Sequence, residues 1–135
     1  NRYVGAKIRT GSFTSTDIEL QSVEMDGSLT QTPEFPYNWM YDGSRPQMPG
    51  FEMEITCKSL FLIFKDSGEM DVGKADVFVN DVYCMTADPH KNNWLHCNAV
   101  LLFWETESRS HKVRITVTEE DQNKKFTILG FGYTI

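Results

Sequence analysis

The alternation of apolar and polar residues constrains the fold of this chain more than any other feature. In FEMEITCK (residues 51–58), every second residue from Phe51 is apolar or cysteine, and the residues between are charged or polar. In HKVRITVTE (residues 111–119), Val113, Ile115 and Val117 alternate with Arg114 and Thr116 in the same way. A period of two places alternate side chains on opposite faces of a strand, so both segments are predicted to be half-buried strands.

Four further segments are typical of strands. LFLIF (60–64) predicts a second, fully covered strand directly after the first, and YVGAKIRTGSFTSTDIELQS (3–22) predicts one or two short strands. KKFTILGFGYTI (124–135) predicts a last strand, whose two glycines indicate a bulge or a close approach of backbones. WLHCNAVLLFWET (94–106) predicts a strand with these residues on one face: Leu95, Cys97, Ala99, Leu101 and Phe103.

The segment KADVFVNDVYCM (74–85) is predicted to be a hairpin. Asn80 and Asp81 form a two-residue turn of the kind that tolerates positive φ. The turn sets the pairing of the two strands as Val79 with Val82, Phe78 with Tyr83, and Val77 with Cys84.

Strands that recur roughly every ten to fifteen residues, with turn residues between them and no helical stripe, predict an all-β fold. We expect an antiparallel two-sheet β-sandwich of the jelly-roll kind. A chain of 135 residues fits one domain, and no repeat or internal boundary divides residues 1–135.

The balance of charge favours a neutral ligand. The formal net charge is −6 and no run of lysine or arginine offsets it, so we expect neither nucleic acid nor an anionic membrane as a partner. The longest apolar run, Ala99 to Trp104, is far too short to span a bilayer. Because the sequence begins at Asn1 without a signal segment, we expect a processed or excised piece of a longer protein. We also expect that protein to be secreted.

No familiar catalytic or metal motif is present. The three histidines lack a metal-ligand spacing, and no nucleophile elbow or phosphate-binding loop occurs, so we expect no enzyme activity and no cofactor. The acidic segment 65–76 favours a solvated loop and leaves a structural Ca²⁺ open. The cysteines Cys57, Cys84 and Cys97 favour buried free thiols, although a Cys84–Cys97 bridge stays open.

The aromatic residues divide into two groups. Six phenylalanines in apolar strand patterns are predicted to face inward: Phe51, Phe61, Phe64, Phe103, Phe126 and Phe131. Other rings stand among prolines, glycines and polar residues, above all in PEFPYNWMYDGSRPQMPG (33–50). A pyranose stacks on such a ring while amides, carboxylates and guanidinium groups bind its hydroxyls, and ordinary core packing is the alternative for each ring. The candidate stacking rings are Tyr37, Trp39, Tyr41 and Trp94, and the candidate hydrogen-bonding residues are Asn38, Asp42, Arg45, Asn92 and Asn93.

Two stretches resemble a known family. MPGFEMEITCKSLFLIFKDSGEMDVGKADVFVNDVY (48–83) and SHKVRITVTEEDQNKKFTILGFGYTI (110–135) resemble the small jelly-roll domain joined to SGNH/GDSL-type carbohydrate esterases of plant-wall-degrading bacteria. The resemblance covers about residues 44 to 135 and includes no catalytic serine block. It implies a β-sandwich that either binds carbohydrate or serves as a structural partner of the esterase.

Two hypotheses follow. In the first, the chain is a non-catalytic module, a monomer tethered to a catalytic domain, that holds a parent hydrolase against a plant polysaccharide such as β-glucan, xyloglucan or another hemicellulose. In the second, it is a structural domain whose aromatic residues pack against the esterase. A small esterase or lyase is the least favoured alternative, because no nucleophile motif is present.

Overall fold

The computed structural model describes residues 7–9, 18–19, 39–42, 50–91 and 97–135. These residues form eight strands and one 3₁₀ turn, with no α-helix among them. The short strands are β1 (Lys7–Arg9), β2 (Ile18–Glu19) and β3 (Trp39–Asp42). The longer strands are β4 (Phe51–Lys65), β5 (Ala75–Val79), β6 (Val82–Ala87), β7 (Cys97–Val117) and β8 (Lys125–Thr134), and the 3₁₀ turn is Glu119–Asp121.

Strands β4 and β7 run through both layers of the fold. Residues 51–57 of β4 pair with residues 109–115 of β7, and residues 113–117 of β7 also pair with β5, which pairs with β6. After a register shift between Cys57 and Ser59, the rest of β4 pairs with residues 97–104 of β7 and with β8. Strand β2 pairs with β4, while β1 and β3 pair with β8. All named pairings are antiparallel and link the strands in one continuous order, β1–β8–β4–β7–β5–β6. The predicted antiparallel β-sandwich is therefore confirmed, with its two layers joined through β4 and β7 instead of forming separate sheets.

The core lies between the two layers. Phe51 of β4 stacks on Phe131 of β8 with ring centroids 5.5 Å apart, although the two residues are not partners in any ladder. Phe64 and Phe126 stack in the same manner at 5.6 Å. Of the six phenylalanines predicted to face inward, Phe64, Phe126 and Phe131 are buried, and the other three are partly buried against hydrophobic clusters.

Three strand predictions need correction. The two strands predicted at residues 94–106 and 111–119 are the single strand β7 within the described residues. The segment predicted as two strands after residue 50 is the single strand β4, because register shifts let it bend without ending. The face predicted for β7 is wrong in part: Ala99 and Leu101 are exposed, while Leu102 is buried. In contrast, the inward placement of Val113, Ile115 and Val117 is confirmed.

The hairpin forms as predicted at its turn and departs from the prediction one pair further on. Asn80 and Asp81 have φ of 52° and 65°, the left-handed values that a tight hairpin turn requires. Val79 pairs with Val82 and Phe78 with Tyr83, but Val77 pairs with Met85. A bulge next to Phe78 leaves Cys84 out of the ladder, which the sequence pattern did not indicate.

The close backbone approach predicted for the last strand is confirmed at Gly132. This residue is the partner of Phe61 on β4, and a Cβ atom there would lie 1.9 Å from Cζ of the Phe61 ring. A register shift between Ile63 and Phe64 marks a bulge in the same pair of strands. In the part of the chain described, no helix is long and apolar enough to cross a membrane.

Candidate functional site

Trp39 lies in the core, so its prediction as an exposed stacking ring is wrong. Its side chain is 3% exposed, and its ring centroid lies 5.3 Å from that of Phe51 and 6.0 Å from that of Phe131. Strand β3 pairs with β8 opposite Ile128, which places the indole between the layers. The polar and turn-forming neighbours of Trp39 in the sequence therefore did not indicate exposure.

Tyr41 and Asp42 lie on the same strand and are half-buried. The Tyr41 ring packs against the core cluster, and its hydroxyl donates to the backbone carbonyl of Gln122 at 3.3 Å. Asp42 pairs in register with Lys125. The other predicted site residues lie outside the described residues: Tyr37, Asn38, Arg45, Asn92, Asn93 and Trp94.

An aromatic and cationic row crosses the outer side of the β6–β5–β7 sheet. Phe78 pairs with Tyr83 on one side and with Arg114 on the other, so the three side chains stand next to one another. The Phe78 and Tyr83 rings meet edge to face at 6.0 Å, and the Arg114 guanidinium lies 4.2 Å from the Phe78 centroid. Tyr83 is 57% exposed, and Phe78 stands between its ring and the Arg114 guanidinium, so the row presents an open aromatic ring at one end and a fork of donors at the other.

A polar row lies beside the aromatic one. Thr86 and Thr116 are the partners of Asp76. The Thr86 hydroxyl donates to the Asp76 carboxylate at 2.6 Å, so the Tyr83 hydroxyl, 2.7 Å from Thr86 Oγ1, is the donor of that second bond. This chain of hydrogen bonds fixes the Tyr83 ring on the sheet, and we call the five side chains Asp76, Phe78, Tyr83, Thr86 and Arg114 the outer face.

An open depression of about 640 Å³ continues the outer face at the ends of β5 and β7. It is lined by Lys74, Asp76, Thr86, Thr118, Glu119 and Glu120. The Lys74 ammonium lies 3.0 Å from Glu120 Oε1, and this hydrogen bond and charge raise the pKa of Lys74. The backbone N–H of Lys74 donates to Asp121 Oδ2 at 2.9 Å, which lowers the pKa of Asp121 and ties the 3₁₀ turn to β5.

The hairpin that carries Phe78 and Tyr83 is held to β7 through its turn. Asn80 Oδ1 accepts the backbone N–H of Lys112 at 3.0 Å, so its Nδ2 faces His111 Nδ1, 2.9 Å away, as a donor. The other ring nitrogen of His111 lies 2.5 Å from Glu105 Oε1, at an angle outside that of a hydrogen bond. Burial lowers the pKa of His111, and the nearby charge of Arg109, which pairs with Glu105, lowers it further.

Other reactive side chains of the described residues have structural surroundings. His90 Nε2 lies 2.5 Å from the Val72 carbonyl. None of the three cysteines forms a disulfide; Cys57 is buried and the other two are half-buried. Burial raises the pKa of Cys84, whose thiol donates to the Leu102 carbonyl at 3.4 Å. Within the described ranges, no three histidine, cysteine or acidic residues are grouped as metal ligands.

The sequence predicted the positions of several outer-face residues but did not indicate that they form a binding surface. It predicted the pairing of Phe78 with Tyr83 and the outward position of Arg114, and both are confirmed. The signal that identifies the surface is the juxtaposition of these three residues across neighbouring strands. That juxtaposition depends on the β5–β7 pairing, which joins residues more than thirty positions apart along the chain and is not readable from local alternation.

No protein-family model and no curated relative matches the chain. Solved structures do. A two-domain esterase active on acetylated mannans, co-crystallized with mannopentaose, matches with a TM-score of 0.70 and 14% identity over 97% of this chain. The match covers 37% of the esterase, so this chain spans little more than a third of its length.

Two carbohydrate-binding modules match over nearly their whole length. One is the CBM36-1 domain of a multidomain xylanase from the hindgut metagenome of Trinervitermes trinervoides, with a TM-score of 0.55 and 8% identity over 94% of both chains. The other is a family 35 module from an environmental isolate, with a TM-score of 0.54 and 16% identity over 93% of this chain and 90% of that one. The chain therefore has the jelly-roll fold shared by carbohydrate-binding modules and by part of a carbohydrate esterase, as the sequence resemblance implied.

Proposed function

We propose that this chain is a non-catalytic carbohydrate-binding domain that contacts its glycan through the outer face. The observation that carries the proposal is the Tyr83 ring, which is 57% exposed and is held by hydrogen bonds to Thr86 and through it to Asp76. The Arg114 guanidinium lies over the neighbouring Phe78 ring in the same row. A sugar ring stacks on the aromatic face, and its hydroxyls bind the surrounding carboxylate, hydroxyl and donor groups. Because the Tyr83 ring is already fixed, binding orders few side chains.

The fold supports the proposal, since two of the solved structures that share it are carbohydrate-binding modules. The charge supports it as well, because a chain with a net charge of −6 suits a neutral glycan. The polysaccharide class that we propose stays that of plant cell walls: β-glucan, xyloglucan or other hemicellulose, with mannan added because the similar esterase is described as active on acetylated mannans. The domain would act outside the cell, tethered to a hydrolase.

The absence of catalysis is also part of the proposal. Nδ1 of the buried His111 is held by Asn80, and Nε2 of His90 contacts a backbone carbonyl. Because its Nδ1 already accepts a hydrogen bond from Asn80, His111 is not placed to accept a proton from a serine. The predicted residues outside the described ranges, Tyr37 and Trp94 above all, stay proposed contacts of the same glycan.

Affinity gel electrophoresis tests the proposal. Soluble β-glucan, xyloglucan, xylan and mannan are included in separate gels, and the wild type is compared with Tyr83→Ala. We expect one or more glycans to retard the wild type and Tyr83→Ala to migrate as if no glycan were present. Val82→Ala is the matched control, since Val82 is 67% exposed on the same strand and belongs to neither row of the outer face.

A second candidate function is docking to a catalytic domain. Leu101 and Trp104 of β7 are 41% and 57% exposed, and large exposed apolar side chains favour a protein contact. The similar esterase has two domains, and this chain matches a third of it. The two functions give different results in the gels: a glycan that retards Trp104→Ala but not Tyr83→Ala supports binding, whereas no retardation by any glycan leaves docking as the better explanation.

A further inference from the structure

The Thr118 side chain has a hydroxyl that the fold does not use. Thr118 follows β7 and precedes the 3₁₀ turn, a position where threonine often caps the turn, but its side chain makes no capping hydrogen bond. Its backbone is satisfied, since the N–H donates to Lys74 and the carbonyl accepts from Asp121. The residue is 8% exposed, and Oγ1 has no hydrogen-bond partner in the described part of the chain. A buried hydroxyl without a partner lowers the stability of the fold, so this one requires an explanation.

Thr118 lines the depression beside the outer face. The other lining groups are the Thr86 hydroxyl, the Lys74 ammonium and three carboxylates. This combination of donors and acceptors in a concave site fits a ligand that presents several hydroxyls at once. Oγ1 itself is buried in the present rotamer, so a change of χ1 has to turn it toward the depression, where a ligand hydroxyl would give it the missing partner.

The charges of the depression select against an anionic ligand. Asp76, Glu119 and Glu120 face a single cation, Lys74, whose ammonium is already paired with Glu120 at 3.0 Å. An incoming carboxylate would meet excess negative charge and would have to break the Lys74–Glu120 pair to find a counter-ion. A neutral sugar meets neither barrier.

The depression and the outer face form one continuous surface, because Asp76 and Thr86 belong to both. Thr118 lies four positions after Arg114, directly beyond the end of β7, which is roughly 13 Å at the rise of a strand. An oligosaccharide stacked on Tyr83 can therefore extend into the depression.

We propose that the depression is a subsite for one neutral sugar residue of the glycan bound at Tyr83, that Thr118 binds a hydroxyl of this residue, and that the carboxylates exclude uronic acids. This inference rests on the proposed function and adds to it the class of sugar and the residues that select it.

Isothermal titration calorimetry tests the inference by measuring the dissociation constants of defined hexasaccharides. The neutral probes are mannohexaose, cellohexaose and xylohexaose. The acidic probes are hexamannuronate and hexaglucuronate, which differ from the first two by a carboxylate in place of the C6 hydroxymethyl group. We expect mannohexaose or cellohexaose to bind and the acidic counterpart of the bound probe to bind at least about tenfold more weakly at low salt, because the depression repels its carboxylates.

Thr118→Val separates binding from stability. The valine keeps the shape and removes the hydroxyl, so the neutral hexasaccharide should bind about tenfold more weakly, while the unfolding midpoint without sugar should rise. Thr56→Val, at an exposed position of β4, is the control. Glu119→Gln should reduce the ratio of the dissociation constants of the acidic and neutral probes. Glu107→Gln, at an exposed position of β7, should leave this ratio unchanged.

The outcomes separate the inference from the function on which it rests. If a neutral probe binds and Thr118→Val leaves its dissociation constant unchanged, the subsite is wrong while the carbohydrate-binding function stands. If the acidic counterpart binds as tightly as the neutral probe, the exclusion of uronic acids is wrong. If no probe binds and no polysaccharide retards the chain, the proposed function fails, and the inference fails with it.

Discussion

Two groups of aromatic residues in this molecule both stand on strands, but one lies in the core and the other at the surface. The inner group consists of Trp39, Phe51 and Phe131, whose ring centroids lie 5.3 to 6.0 Å apart between the two layers. The outer group is Phe78 and Tyr83 with Arg114 over the Phe78 ring, and its members meet at 6.0 and 4.2 Å on the solvent side of one sheet. The distances between neighbouring rings are therefore similar in the core and at the surface, and they do not distinguish the two groups.

The difference lies in what covers each group. Trp39 contacts residues from both β4 and β8, so its ring is enclosed by two layers. Tyr83 is on β6, which ends the β7–β5–β6 order of its sheet, and its hydroxyl is held by Thr86 on the same strand. Alternation along a strand defines two faces, but only the packing of the layers decides which face is covered. The presence of polar partners on neighbouring strands indicates a solvent-exposed face better than alternation does.

The largest expected effect that tests the comparison is that of Trp39→Ala on stability. Removing a ring enclosed by both layers leaves a cavity, so we expect a loss of about 3–5 kcal/mol in the free energy of unfolding, measured by urea denaturation. Trp39→Phe keeps an aromatic ring at the contact and should cost clearly less. An unchanged urea midpoint for Trp39→Ala would show that the ring is not part of the core.

Tyr83→Ala should give the opposite pattern. An exposed ring leaves no cavity, so the urea midpoint should change little, whereas glycan binding should weaken by about 1–3 kcal/mol if sugar stacking resembles that of bases on aromatic side chains. Titration of the retained glycan with wild type and mutant measures the loss. A large fall in stability together with retained binding would assign Tyr83 to the core and reverse the comparison.

Much of the fold was predictable because its signals are local. Alternation identified the half-buried strands at residues 51–57 and 113–117, and the Asn80–Asp81 pair identified the turn. The departures come from irregularities that alternation cannot show. The bulge beside Phe78 displaced Cys84, and the register shifts of β4 joined two predicted strands into one. The exposed face of β7 near Leu101 was missed because both of its faces are apolar in sequence.

The site was less predictable than the fold. Trp39 stands among prolines, glycines and polar residues, yet β3 places it between the layers, so local composition gave the wrong exposure. The outer face depends on strands that are distant in sequence: Arg114 meets Phe78 only through the β5–β7 ladder. The Thr118 hydroxyl has no sequence signal at all, since its lack of a partner is visible only in three dimensions.

The turn that carries the outer group provides a smaller and sharper test. Both residues have left-handed φ values, which glycine adopts without strain, but only Asn80 bonds β7, through Lys112 and His111. We expect Asp81→Gly to change stability by no more than about 0.5 kcal/mol and Asn80→Gly to cost about 1–2 kcal/mol, as measured by thermal unfolding. Equal effects of the two substitutions would mean that backbone conformation alone, without the Asn80 side chain, holds the hairpin.

His111 connects the two regions, and its titration provides the smallest expected effect. Its ring lies 4.2 Å from that of Phe103, which packs against the core, and Nδ1 accepts a hydrogen bond from Asn80 in the turn below Tyr83. Protonation of Nδ1 would remove this acceptor and place a charge in a buried site near Arg109. Both effects favour the neutral ring. The Glu105 carboxylate, 2.5 Å from Nε2, acts in the opposite direction, and the net result is a pKa below the ordinary histidine value.

The sign of the pH dependence follows from that direction. An unfolded histidine has a pKa of about 6.5, and the folded His111 has a lower one, so the unfolded state binds more protons as the pH falls. The stabilisation is therefore complete above about pH 6.5 and is lost progressively between that pH and the folded pKa.

We expect the urea midpoint of the wild type to fall between pH 7.5 and 5.5 and to fall less in His111→Gln, which keeps a neutral polar side chain. His90 and His96 are common to both proteins, so the difference between the two slopes belongs to His111. Parallel slopes would show that the pKa of His111 is the same in the folded and unfolded states. The neutral His111 ring would then not be what links Asn80 in the turn to Phe103 in the core.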